Sequence, residues 1–305
     1  MSSAVDRESA TESIRAGTRL LLISNDAIRA RRRPVAIVGV WLFEAAIALV
    51  ISWPITRAVA SSFADRPDGD APLFADGGDA LVTWLSTQKA ALASIGATFS
   101  MGVFAALVLG TIPLIMLLTS LAYTTQDLRA PKVPHLAPFV ARGFWPMLGV
   151  LGTSSLAQAL LGGVGLGLAS WVSDHFSERL GEARAGQLWV ALVIIFALGV
   201  AVIGVLGDLA RAAVVRFRAN FFDSVRSGFK AFRKQKLAVF WSWAWRALVG
   251  VLLLGGSALA SARLGGRPGV ALAVLAVLHQ LLVLVRVALR TSWLARALRA
   301  VDADG

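Results

Sequence analysis

Glu44, Arg246, His279 and Arg286 are ionisable residues deep inside long apolar runs of this chain. If those runs cross a bilayer, each charge there is costly, at about 2.5–3.5 kcal/mol at the helix centre on insertion scales. Measured from the nearer basic end of its run, Glu44 lies about 14 Å in, Arg246 about 12–14 Å and Arg286 about 10 Å. Matching depth predicts a buried polar network, with Glu44 as anion and Arg246 or Arg286 as cation. His279 stands near the middle of its run, and Asp208 with Arg211 extends the set at the inner edge. Such a network either fixes helix register or forms a site that holds a lipid headgroup or moves an ion.

Other chemistries find less support. The chain has no cysteine, which removes thiolate nucleophiles, disulfides and Cys-based metal sites. His135, His175 and His279 form no His-x-x-x-His pair, so no metal ligand set is assigned. Asp68, Asp70 and Asp79 have the spacing of a calcium loop, but Pro72 and Leu73 stand where a ligand and a glycine are needed. Gly152-Thr153-Ser154 has the Gly-x-Ser form of rhomboid-type intramembrane proteases, with His279 as the only base in reach of the idea. The accompanying second-span and outer-loop motifs are missing, and serines between helices more commonly hydrogen-bond. No catalytic residue, cofactor or metal is therefore expected, and the leading reading is non-enzymatic.

The elements that must position the charges follow from composition. Of 305 residues, 57% are hydrophobic and 16% charged, against about a quarter charged in soluble domains. Residues 90–126, 143–173, 185–207 and 247–262 carry no charge, and 35–56 and 268–285 are nearly free of it. A helix needs about 20 apolar residues to cross about 30 Å of hydrocarbon. The fold class expected is all-α, a polytopic membrane protein with six transmembrane helices in a bundle. The spans read as 35–57, 97–123, 144–172, 187–210, 237–262 and 269–293, between a basic segment 1–34 and a tail 294–305. Some 34 polar residues precede the first run without a signal-peptide pattern, so span 1 is expected to stay in the mature protein.

Between spans 4 and 5 lies "DLARAAVVRFRANFFDSVRSGFKAFRKQK", 208–236, with eight Lys/Arg and two Asp. At 100° per residue, Phe217, Phe221, Phe222, Val225, Phe229 and Phe232 share one arc, opposite Asp223, Arg226, Lys230, Arg233 and Lys234. The pattern predicts an interfacial helix over 217–234 on the cytoplasmic surface. Phe221, Val225, Arg226, Phe229, Lys230, Phe232 and Arg233 would be its contacts to lipid. With the N-terminus inside, 23 of the 30 Lys/Arg fall on the cytoplasmic side and seven on the outer connections, as the positive-inside rule requires. The net charge of +12 then reflects topology. Anionic lipid headgroups, or a partner protein, are the expected partners, and nucleic acid is not. The location expected is a bacterial inner membrane, multi-pass, with both termini cytoplasmic. A transporter or channel using the charge cluster is the alternative, and an intramembrane enzyme a third.

Small residues mark expected helix contacts: Gly102, Ala106 and Gly110 in span 2, Gly163 and Gly167 in span 3. "IRAGT" at 14–18, "VARGF" at 140–144 and "VRSGF" at 225–229 each lead into a span, and "QDLRA" at 126–130 and "GDLARA" at 207–212 each close one. They suggest three units, each a surface helix followed by a transmembrane hairpin. With "DLARAAVV", "FFDSVRSGFKAFRKQK" and "LHQLLVLVRVALRTSWLA", the layout resembles bacterial six-span integral membrane proteins of unknown function. It is similar to the membrane domain found with some glycerophosphodiester phosphodiesterases. No phosphodiesterase domain is present, so the resemblance implies no catalytic residue.

Overall fold

The computed structural model describes residues 21–22, 28–30, 33–63, 89–124, 133–264 and 270–303. The acidic stretch 65–79, the "IRAGT" and "QDLRA" motifs and residues 265–269 lie outside the described residues. Six helices make up nearly all the rest: α1 (Pro34–Phe63), α2 (Lys89–Ala122), α3 (Val133–Leu180), α4 (Glu182–Phe217), α5 (Phe221–Leu264) and α6 (Val270–Asp302). Each is long and apolar enough to cross a membrane, which supports a multi-pass protein. A two-residue antiparallel ladder pairs β1 (Leu21–Leu22) with β2 (Tyr123–Thr124).

The chain divides into two compact units. The first holds Met1–Ala30, Leu118–Trp243 and Trp293–Gly305; the second holds Arg31–Leu117 and Ala244–Ser292. Thus α2, α5 and α6 contribute residues to both.

In the first unit, α3 and α4 form a hairpin about one residue. Between the expected spans 144–172 and 187–210 the chain stays helical but for Gly181, since α3 runs to Leu180 and α4 begins at Glu182. Gly181 makes the reversal alone, at φ 79, a conformation that side chains with a Cβ rarely adopt. Register then follows from distance to the turn. Gly165 lies against Phe196, Gly162 and Gly199 against Val200 and Leu161, Gly204 against Gln158, and Gly207 against Ser154. Gln158 Nε2 donates to Val200 O at 3.1 Å. The close-packing face is therefore not the expected Gly163/Gly167 pair, which meets nothing within 4 Å. The run holds several glycines, and the register of the turn decides which of them face α4. In the second unit Gly102 does meet a neighbour, with Ile51 Cγ1 3.3 Å from where its Cβ would be, while Gly110 meets none.

The first unit's core lies at the end of α4 that carries the basic connection. Leu209, Ala210, Arg211 and Ala212 to Val215 are buried in succession, with Leu121, Met147, Val150, Leu294, Leu298 and Val301 also buried. Residues 294–305 were expected to be a tail. Instead α6 continues to Asp302, because its apolar positions repeat at helical spacing and its arginines find acceptors. Arg299 Nη1 donates to Ile28 O at 3.2 Å, and Arg216 Nε donates to Asp302 Oδ1 at 2.7 Å. Tyr123 OH donates to Val215 O at 3.4 Å.

The surface segment differs from expectation at its start. Phe217 closes α4, Arg218 takes the left-handed conformation at φ 52, and a new helix begins at Phe221. Asn220 caps it, accepting the Asp223 N–H at 2.9 Å. The segment is continuous with the following apolar helix as one 44-residue α5, broken in direction only at Gln235 (φ −124, ψ 30).

Candidate functional site

The short helix over 221–234 has three faces. Ser224, Gly228 and Ala231, spaced four and three apart, are buried. This small-residue stripe lies against α4, where a Cβ on Gly228 would stand 2.7 Å from Ala210 N. Backbone meets backbone there, and only glycine permits it. Phe221 turns toward α3, its Cδ2 3.1 Å from where a Gly149 Cβ would be, and Phe232 is half-buried. The second face stays open: Phe222 is 79% exposed, Phe229 56% and Val225 42%. Arg226, Lys230, Arg233 and Lys234 form the third face, also exposed. Of the residues expected to meet lipid, Phe221 and Phe232 are thus partly taken up by the protein, while Val225, Arg226, Phe229, Lys230 and Arg233 remain at the surface. The buried stripe went unread because Ser, Gly and Ala add little to an apolar pattern. Their spacing of four and three was the available signal.

The ionisable residues of the apolar helices do not converge on one partner. Glu44 Oε1 lies 3.8 Å from Arg290 Nη1, with the two side chains 36% and 51% exposed. Arg290, one turn nearer the helix end than Arg286, is thus the cation beside Glu44. Arg246 donates from Nη2 to Ser292 Oγ at 3.0 Å, and its guanidinium covers the Trp245 ring at 4.4 Å. His279 Nε2 is 3.2 Å from Ser261 Oγ, whose hydroxyl donates to Ser257 O at 3.0 Å. Arg286 is exposed on α6.

Asp208 belongs to the first unit, where both of its carboxylate oxygens accept a hydrogen bond. Its Oδ1 accepts from Arg211 Nη1 at 2.7 Å and its Oδ2 from Trp293 Nε1 at 2.8 Å. Arg211 Nη2 donates to Ser154 Oγ at 3.0 Å. One carboxylate and one guanidinium thereby tie α3, α4 and α6 together. Ser154, the serine of the Gly-x-Ser motif, serves Arg211. Among the described residues no three His, Asp or Glu side chains gather as a metal site.

Comparison with known proteins finds no matching family model, no matching curated protein and no matching solved structure.

Proposed function

We propose that this chain is a non-enzymatic, multi-pass protein of a bacterial inner membrane, with both termini cytoplasmic. In this reading its basic surface helix engages anionic lipid headgroups. The three-faced helix over 221–234 is the observation that carries it. The small stripe seats the helix on its own protein and leaves aromatic and basic faces side by side and open. Aromatic side chains gain by entering the acyl boundary, and cations gain from anionic headgroups next to it. The break at Gln235 lets the chain turn from the surface into the apolar part of α5. The Lys/Arg asymmetry orients this surface inward.

A threefold repeat is in keeping with the helices. Both α3 and α5 begin with a basic segment, "VARGF" or "VRSGF", and continue into an apolar run, and α4 and α6 return. A transporter would need Glu44, Arg246, Arg286 and His279 to converge. Glu44, Arg246 and His279 each turn to a different residue, so lipid engagement is the better supported reading.

The test is binding of a peptide spanning 217–234 to vesicles. It is expected to bind phosphatidylglycerol vesicles and to release with salt. Each basic residue contributes about 1 kcal/mol near an anionic surface, so Lys230→Gln with Arg233→Gln should weaken binding by roughly thirtyfold. Equal binding to neutral vesicles would refute the electrostatic part, and a partner protein would become the better candidate for the basic face.

A further inference from the structure

We propose that the α6 face carrying Arg286 and Arg290, with Glu44 of α1 beside it, binds the phosphodiester headgroup of one anionic membrane lipid. This rests on the reading that the helices cross the bilayer with their basic ends in the anionic leaflet. It does not depend on the surface helix.

Arg286 and Arg290 are four residues apart on a continuous helix, which places their Cβ atoms about 5–6 Å apart on one face. Both are exposed. Among the described residues Glu44 is the carboxylate that pairs with this face, and at 3.8 Å from Arg290 Nη1 it is beyond hydrogen-bond length. Arg286 makes no hydrogen bond or ion pair with any described residue. Arginine does not discharge by losing its proton, so two permanent cations share one loosely held anion. The face carries a surplus of one positive charge inside an apolar segment.

A phosphodiester has the matching charge of minus one. Its two free oxygens suit the planar fork of a guanidinium. The depth also fits, since Arg286 lies about 6 Å further along α6 than Arg290. Its long stem lets the guanidinium rise to the level of Arg290 and Glu44. On the side away from Arg290, the same face continues with Leu282 and Val283, apolar and half-buried, where an acyl chain would lie. His279, next along, is already engaged with Ser261. A lipid supplies phosphate and acyl chain together, which a free anion does not.

The experiment is native mass spectrometry of the full chain in detergent, titrated with phosphatidylglycerol, phosphatidylcholine or inorganic phosphate. Wild type is expected to retain one phosphatidylglycerol at concentrations at least tenfold below those needed for phosphatidylcholine. Arg286→Gln with Arg290→Gln should weaken that retention tenfold or more. Glu44→Gln should tighten it, because the competing carboxylate is gone; this variant decides the matter if the double variant does not fold. Equal retention of the two lipids overturns the proposal. So does an unchanged double variant, or a Glu44→Gln that leaves binding unchanged or weaker. Displacement of the lipid by equimolar inorganic phosphate overturns the lipid assignment in favour of a soluble anion. Loss confined to Lys230→Gln with Arg233→Gln overturns this site and leaves the surface helix standing. Retention by the full chain while the 217–234 peptide fails on vesicles does the reverse.

Discussion

Asp208 with Arg211 and Glu44 with Arg290 are both acid–base pairs between helical residues, yet their surroundings separate them. The first is 2.7 Å long with side chains 10% and 16% exposed, and each member has a further partner. The second is 3.8 Å long between half-open side chains. Removing one partner of a buried pair strands the other charge and costs about 3–5 kcal/mol. An exposed pair with long stems can rearrange, and such pairs contribute about 0–1 kcal/mol. Asp208→Ala should therefore lower the thermal unfolding midpoint far more than Glu44→Ala. Ser154→Ala, which removes one neutral acceptor from Arg211, should fall between them at about 1–3 kcal/mol. A Glu44→Ala midpoint as low as that of Asp208→Ala would invert this ranking. Sequence singled out Glu44 because it interrupts an apolar run, and Asp208 because it closes one. It did not find Arg290 for Glu44, since depth along a helix leaves the direction around it undetermined.

At the scale of the element, glycine separates packing that can yield from packing that cannot. A Cβ at Gly199 meets Leu161 Cδ2 at 2.9 Å, the free end of a flexible side chain. A Cβ at Gly228 meets the backbone of Leu209 and Ala210. Gly199→Ala should be close to neutral, because Leu161 can change rotamer. Gly228→Ala should lift the surface helix from α4 and destabilise by about 1–3 kcal/mol or more. Faster proteolysis between Arg218 and Gln235 in Gly228→Ala, with none in Gly199→Ala, is the expected outcome. Similar digestion of both would mean that the stripe of Ser224, Gly228 and Ala231 does not seat the helix. That the segment is helical was legible from its 3.6-residue pattern. Its start at Phe221 was not, because Arg218 at positive φ is a tertiary choice in a residue with no preference for it.

At the scale of the molecule, the orientation is the claim to test. The native chain has no cysteine, so single cysteines report without background. Ser62→Cys, at the end of α1, is expected to react with an impermeant thiol reagent in intact cells, and Ser227→Cys only after the cells are opened. Labelling of Ser227→Cys in intact cells would reverse the topology and remove the basis for both lipid proposals.

The sequence by itself determined the helical class, the six apolar helices and the charge asymmetry, because bilayer thickness, the helical repeat and backbone hydrogen bonding leave an apolar run of that length few alternatives. Only the tertiary structure decided which glycines face a neighbour, where α3 turns into α4, and that the end of α6 is core. It also decided that Arg211 spans to Ser154 while Glu44 meets Arg290. Those outcomes depend on the rotation of each helix about its axis, and an apolar run with weak periodicity constrains that rotation poorly until another helix packs against it.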